Sequence, residues 1–323
     1  MLKFILMVKG GKSKMRALSE QFMNDLKKPD GMLNPILERV KNDQTLMLAI
    51  REDYINIYYR GGNLLKVSQP QKGVYSTRFD PNYNLSKQPG LELPKILHDC
   101  GDTKKWVDAF PLLKQTMDNF FSVHSKAERE FQQLVARENN GSTISNESEY
   151  FISDIEVSDS DIGARIDLLA ICWPANFRKT GNKCKAAFIE MKYSDGALDN
   201  SSGVIKHLRD FDALITNKSR YREFLQMMES QFNQLDELGL LKFNKGISNA
   251  KVKLNPDDRP EVIFILANHN PRRSKLKTIL SDPQIDEYAR ANKFALKFFV
   301  SSFAGYGLHT DCMLNLDEFR KLL

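Results

Sequence analysis

The chain has 323 residues, 41% hydrophobic and 27% charged, and Lys and Arg outnumber Asp and Glu to give a net charge of +6. This composition excludes a disordered or fibrous chain, is long enough to build more than one domain, and favours a polyanionic partner. No apolar run approaches bilayer-spanning length, and Cys100, Cys172, Cys184 and Cys312 show no metal-binding spacing, so a reduced, cytoplasmic protein with no membrane partner is expected.

The apolar run after Lys3 is too short for the core of a secretory signal. From Ser13 to about Lys28, Met15, Leu18, Phe22 and Leu26 recur at helical spacing, and a second short helix is expected from Leu33 to Lys41. The period then changes. Thr45 to Arg51 and Tyr54 to Tyr59 read as strands, and Arg60 to Asn63 as a turn into Leu64 to Val67, with Gly73 to Phe79 extending the meander. Tyr54, Tyr58, Tyr59, Arg60 and Lys66 fit a half-buried sheet with snorkelling cations better than a nucleic-acid surface. Residues 1–95 are expected to form a small N-terminal α+β domain. Asp80 to about Thr103 is rich in Pro, Asn, Gly and Lys and reads as a linker, and 96–119 as a linker and helical connection.

Residues 120–323 read as a second, larger unit. A helix from Phe120 to Glu138 buries Phe121, Val123, Ala127, Phe131, Leu134 and Val135, and ends at Asn139 to Ser142. Glu128 borders that stripe, and Glu130 is a competing choice for a carboxylate beside it. Tyr150 to Val157 should be a strand. Two further strand-length runs lie in Gly163 to Cys172 and Lys185 to Tyr193. Asp167 stands in one, and Glu190 and Lys192 in the other. Charges in such strands need a common partner, because burying an unpaired one is costly. Glu190 and Lys192 share a face, roughly 6.6 Å apart along the strand, with Met191 opposite. In a hairpin Asp167 and Glu190 reach one hard, oxygen-seeking cation such as Mg²⁺, or Mn²⁺. Asp154 and Asp161 are spare carboxylates left outside that set.

A helix follows from about Val204, with Val204, Leu208, Phe211 and Ile215 inward and His207 on its flank, within reach of a substrate phosphate. Arg220 to Leu241 reads as a longer helix, Glu261 to Ala267 as a strand buried on both faces, and Asn268 to Arg273 as a basic loop. A helix near Asp282 to Asn292 and a strand from Phe294 to Ser301 complete an α/β layer.

Asp167 followed by Glu190-Met191-Lys192 resembles the Asp…Glu-x-Lys signature of the PD-(D/E)xK nuclease superfamily, over roughly Phe120 to Val300, with Ile166 where the family name has Pro. The resemblance implies a restriction-endonuclease-like αβββαβ core and a helical Glu, here Glu128, completing the site. It further implies hydrolysis of phosphodiester bonds, with Asp167, Glu190 and Glu128 at the metal and Lys192 assisting the attacking water or the transition state. The expected partner is nucleic acid, DNA rather than RNA, with a homo-oligomer or partner protein possible and a role in prokaryotic antiviral defence suggested. An inactive module of the same fold, binding nucleic acid or protein, is the alternative. A scaffold whose charges are surface pairs, Asp167 with Lys192 and Glu190 in solvent, is a third.

Overall fold

The structure, a computed structural model, describes residues 15–85, 91–141, 148–159, 163–193, 195–198, 203–243, 250–267, 275–301, 310 and 313–322. The expectations for residues 3–9, Asp161, the basic loop 268–273 and Cys312 lie outside them.

Ser19 starts helix α1 (Glu20–Lys27) by accepting from the Phe22 N–H, which satisfies one of the donors a helix start leaves open. Helix α2 (Asn34–Asn42) has Pro35 in its first turn, where the missing N–H costs nothing. Next comes an antiparallel meander of β1 (Leu46–Ile50), β2 (Tyr54–Tyr59), β3 (Gly62–Gln71), β4 (Val74–Arg78) and β5 (Ile96–Leu97), in that spatial order. The stretch read as a linker is therefore partly built into the sheet. Its Pro94 and Lys95 carbonyls accept from Thr77 Oγ1 and the Thr77 N–H, and Trp106 Nε1 donates to the same Pro94 carbonyl. These bonds add β5 to the meander despite a composition poor in strand formers.

The expected single helix over Phe120 to Glu138 is two helices, α3 (Cys100–Val123) and α4 (Ala127–Asn140). Residues 122–126 are all exposed, so no packing holds that turn helical.

The second sheet comprises β6 (Tyr150–Asp159), β7 (Ala164–Cys172), β8 (Lys185–Tyr193), β9 (Glu261–Ala267) and β10 (Ala295–Ser301), ordered β10-β9-β8-β7-β6. The first three are antiparallel, while β9 runs parallel to both β8 and β10. Helices α5 (Val204–Thr216) and α6 (Lys218–Glu237) carry the chain from β8 to β9. Helices α7 (Leu276–Leu280) and α8 (Pro283–Ala291) carry it on to β10, and α9 (Leu316–Arg320) follows. All seven residues of β9 are buried, as its central place between parallel neighbours requires.

The alternation of β8 sorts its side chains between two layers. Phe188 packs against Phe211 of α5 and Tyr221 and Phe224 of α6, whereas Ile189 and Met191 join the cluster containing Val135 and Ala136 of α4. One apolar core runs from Leu18 and Phe22 through both sheets to Phe319. The molecule is thus a mixed α/β protein with two sheets. Among the described residues no helix is long and apolar enough to cross a membrane.

Candidate active site

The pairing of β7 with β8 runs from Cys172 opposite Lys185 to Leu168 opposite Ile189 and stops there. Beyond that point β7 continues along β6, through Ile166 opposite Val157, while β8 continues along β9, through Lys192 opposite Leu266. The strands part at Asp167 and Glu190. The backbone donor left open by the parting is taken by a side chain: Asp167 Oδ2 accepts from the Met191 N–H at 2.9 Å. The carboxylate therefore stands where a strand would have been.

Asp167, Glu190, Lys192 and His207 are 5%, 3%, 4% and 8% exposed. Lys192 Nζ donates to Glu190 Oε1 at 2.7 Å, and His207 Nε2 lies 3.0 Å from the same oxygen. Glu190 Oε2 and His207 Nδ1 are buried with no hydrogen-bond partner. The Glu190 charge also acts on the Asp167 carboxyl. Two carboxyls and one ammonium share this pocket, and full ionisation would leave one net negative charge out of water. Burial, then the neighbouring Glu190 charge, holds Asp167 well above the usual carboxylate range. Burial likewise pushes Glu190 up to about 7, against the lowering pull of Lys192. His207 is lowered to about 4 by burial and then by the Lys192 charge, so its imidazole is neutral near pH 7.

Glu128 lies half-buried in the first turn of α4, and its negative charge raises both Asp167 and Glu190. Glu130 is engaged elsewhere, by Arg60 Nε at 2.9 Å and Nη2 at 3.2 Å. No group of three or more His, Cys, Asp or Glu placed to hold a metal occurs among the described residues. The expected shell of three carboxylates is thus not assembled, and Glu128 acts on the pair through its charge. His207, expected toward a phosphate, is turned onto Glu190. Glu190 is not in solvent, and its partner is Lys192, so the surface-pair arrangement is not the one observed.

Sequence reasoning missed how the meander fixes α4. Arg60 and Gly61, both at positive φ, form the turn between β2 and β3, and a Cβ at Gly61 would lie 2.4 Å from the Arg129 carbonyl carbon. The Gly61 N–H donates to Gln133 Oε1 at 2.6 Å, and Arg60 Nη1 also holds Asp118 of α3 at 2.8 Å. The turn thereby grips the helix end that carries Glu128. The only sequence signal is the Arg60-Gly61-Gly62 turn itself.

Comparison with protein-family models, with curated proteins and with solved structures returns no match.

Proposed function

We propose that the chain is a divalent-metal-dependent nuclease of the PD-(D/E)xK type, acting on DNA. The observation that carries the reading is the buried Asp167–Glu190 pair with Lys192, at the point where β7 and β8 part. The order α4, β6, β7, β8, α5, α6, β9 supports the αβββαβ succession that the Asp…Glu-x-Lys signature implies, with α6 inserted before the last strand.

The donor set suits Mg²⁺ or Mn²⁺. Glu190 Oε2 is an orphaned buried oxygen, and burial holds both carboxyls above the usual carboxylate range despite Lys192, so a hard cation taking carboxylate and solvent oxygens would supply the positive charge that keeps them ionised. Asp167 and Glu190 would hold it, and when bound it supplies positive charge to a phosphodiester undergoing attack. Lys192, already fixed by Glu190, presents an ammonium that can meet charge growing on a phosphate oxygen. His207 fixes the rotamer of Glu190 from α5. Glu128 strengthens the demand for a cation by adding negative charge beside the pair.

The test is incubation of circular and linear DNA with the protein in EDTA, Mg²⁺ and Mn²⁺. Cleavage is expected only with a divalent ion, and Asp167→Ala and Lys192→Ala should each lower it at least about a hundredfold. Undiminished cleavage by folded Asp167→Ala would overturn the mechanism. Binding of DNA without cleavage under every condition would assign the chain to the inactive module instead.

A further inference from the structure

The loop joining β7 to β8 inverts the usual placement of apolar and charged residues. Phe177 is 42% exposed, the one exposed Phe, Tyr or Trp among the described residues, while its neighbour Arg178 is buried at 3%. Arg178 is a structural pin. Its Nε donates to the Trp173 carbonyl at 3.0 Å, its Nη2 donates to the Ser148 carbonyl, and its guanidinium lies 5.0 Å from the Phe151 ring. A short helical turn, Ala175–Phe177, closes with the Phe177 N–H donating to Pro174. The ring is therefore held outward on a rigid base.

One cation lies over it, and others stand on the segments packed behind the same loop. Lys183 Nζ lies 5.5 Å from the Phe177 ring. The following turn abuts the segment at 250–254: the Lys253 N–H donates to the Gly181 carbonyl at 2.8 Å, and a Cβ on Gly181 would lie 1.8 Å from the Lys251 carbonyl oxygen. Burial alternates along that segment, with Val252 and Leu254 inside and Lys251 and Lys253 outside. Lys185 is exposed at the start of β8. None of Lys183, Lys185, Lys251 and Lys253 is in an ion pair, whereas Lys27, Lys114 and Lys293 on other surfaces each meet an acid. The neighbouring acid Glu229 accepts from the Leu254 N–H, and the Lys253 charge acts on it without forming an ion pair.

We infer that Phe177 and these four lysines form a binding platform for single-stranded nucleic acid. An exposed, immobilised ring offers a face to an unpaired base, and exposed lysines in no ion pair among the described residues meet the backbone phosphates. A duplex keeps its base faces stacked internally and cannot use the ring. The platform lies at the far end of the β7–β8 hairpin from Glu190, about 17 Å along β8 from Lys185, so it is separate from the candidate active site. It does not depend on the nuclease reading, since stacking and phosphate contact need neither metal nor cleavage.

Fluorescence anisotropy in EDTA tests it, with labelled oligothymidylate, oligouridylate and a blunt DNA duplex as probes. Wild type should bind one or both single strands more tightly than the duplex. Phe177→Ala should weaken single-strand binding about tenfold and leave duplex binding unchanged, while Phe177→Trp retains it. Lys183→Ala/Lys251→Ala/Lys253→Ala should lower the salt slope by about 2 on a logarithmic scale. All are surface changes, and unchanged melting temperatures would show that the fold is kept. Single-strand affinity unaltered in both the Phe177→Ala and triple-lysine proteins, or tighter binding of the duplex, would overturn the inference.

Discussion

Among the buried acids of the second sheet, Asp154 and the Asp167–Glu190 pair are built in opposite ways. Asp154 of β6 is 2% exposed yet fully provided for: Arg16 reaches it at 2.7 Å, Arg51 pairs with it, Gln231 donates at 2.7 Å and the Ile155 N–H at 2.8 Å. Arg51 is itself saturated by the Ile50 and Ile155 carbonyls and the Tyr58 hydroxyl. Asp167 and Glu190 are buried as deeply, but they face each other with a single ammonium between two carboxyls and one orphaned oxygen. Both centres exclude water. In the second, burial holds both carboxyls above the usual carboxylate range, and an incomplete buried site of this kind is where a ligand is expected. Asp154 ties the meander to the second sheet, whereas among the described residues Glu190 pairs only with Lys192 of its own strand and with His207 of α5.

The sharpest consequence concerns stability. Asp154→Ala leaves Arg51 buried without its carboxylate and should cost about 3–5 kcal/mol in denaturant unfolding. A loss below about 1 kcal/mol would erase the distinction between the centres.

Gly61→Ala should cost about 2 kcal/mol, because φ of 72° disfavours any Cβ and the Arg129 backbone occupies its place. It also shifts the start of α4, so cleavage should fall in the folded protein while duplex binding holds. Unfolding curves and a cleavage assay read the two effects separately.

A smaller effect is the pH dependence of the metal-free protein. Glu190, raised from 4.5 to about 7, contributes stability that is full below about pH 4.5 and lost as pH rises through about 7. Asp167, also raised, acts in the same direction. His207, lowered from 6.5 to about 4, contributes stability that is present above 6.5 and lost as pH falls through about 4. Above pH 6.5 only the carboxyls still act. Melting temperature in EDTA should therefore fall between about pH 6.5 and 8 in wild type, and Glu190→Gln should flatten that slope. A slope of the opposite sign would contradict the charge accounting.

The elements around the candidate site were legible because their patterns are local. Strand-length apolar runs marked β6, β7 and β8, and the period-two face of β8 put Glu190 with Lys192 and Met191 behind. The stripe Val204, Leu208, Phe211 and Ile215 is the buried face of α5. What the sequence hid depends on distant contacts. Arg51 ends an apolar strand with no local sign that its carboxylate lies 103 positions away. The break at residues 124–126 reflects missing packing rather than a breaker residue, and β5 exists because Thr77 and Trp106 hold Pro94. Arg178 and Phe177 exchange their usual places for the same reason. Hydropathy ranks them the wrong way round, and only the carbonyls of Trp173 and Ser148 explain it.

The central claim is that Asp167 and Glu190 are a frustrated pair awaiting a divalent cation. Thermal unfolding of wild type and Asp167→Asn at about pH 8, in EDTA and in Mn²⁺, tests it most directly. In EDTA the Asn variant should be at least as stable as wild type, because Asn can keep an acceptor for the Met191 N–H and cannot ionise beside Glu190. Mn²⁺ at about a hundred times its dissociation constant should stabilise wild type by about 2.7 kcal/mol and the variant far less. Equal melting of wild type with and without Mn²⁺, together with a less stable Asn variant, would show that the pair is a structural element like Asp154 and contradict the account.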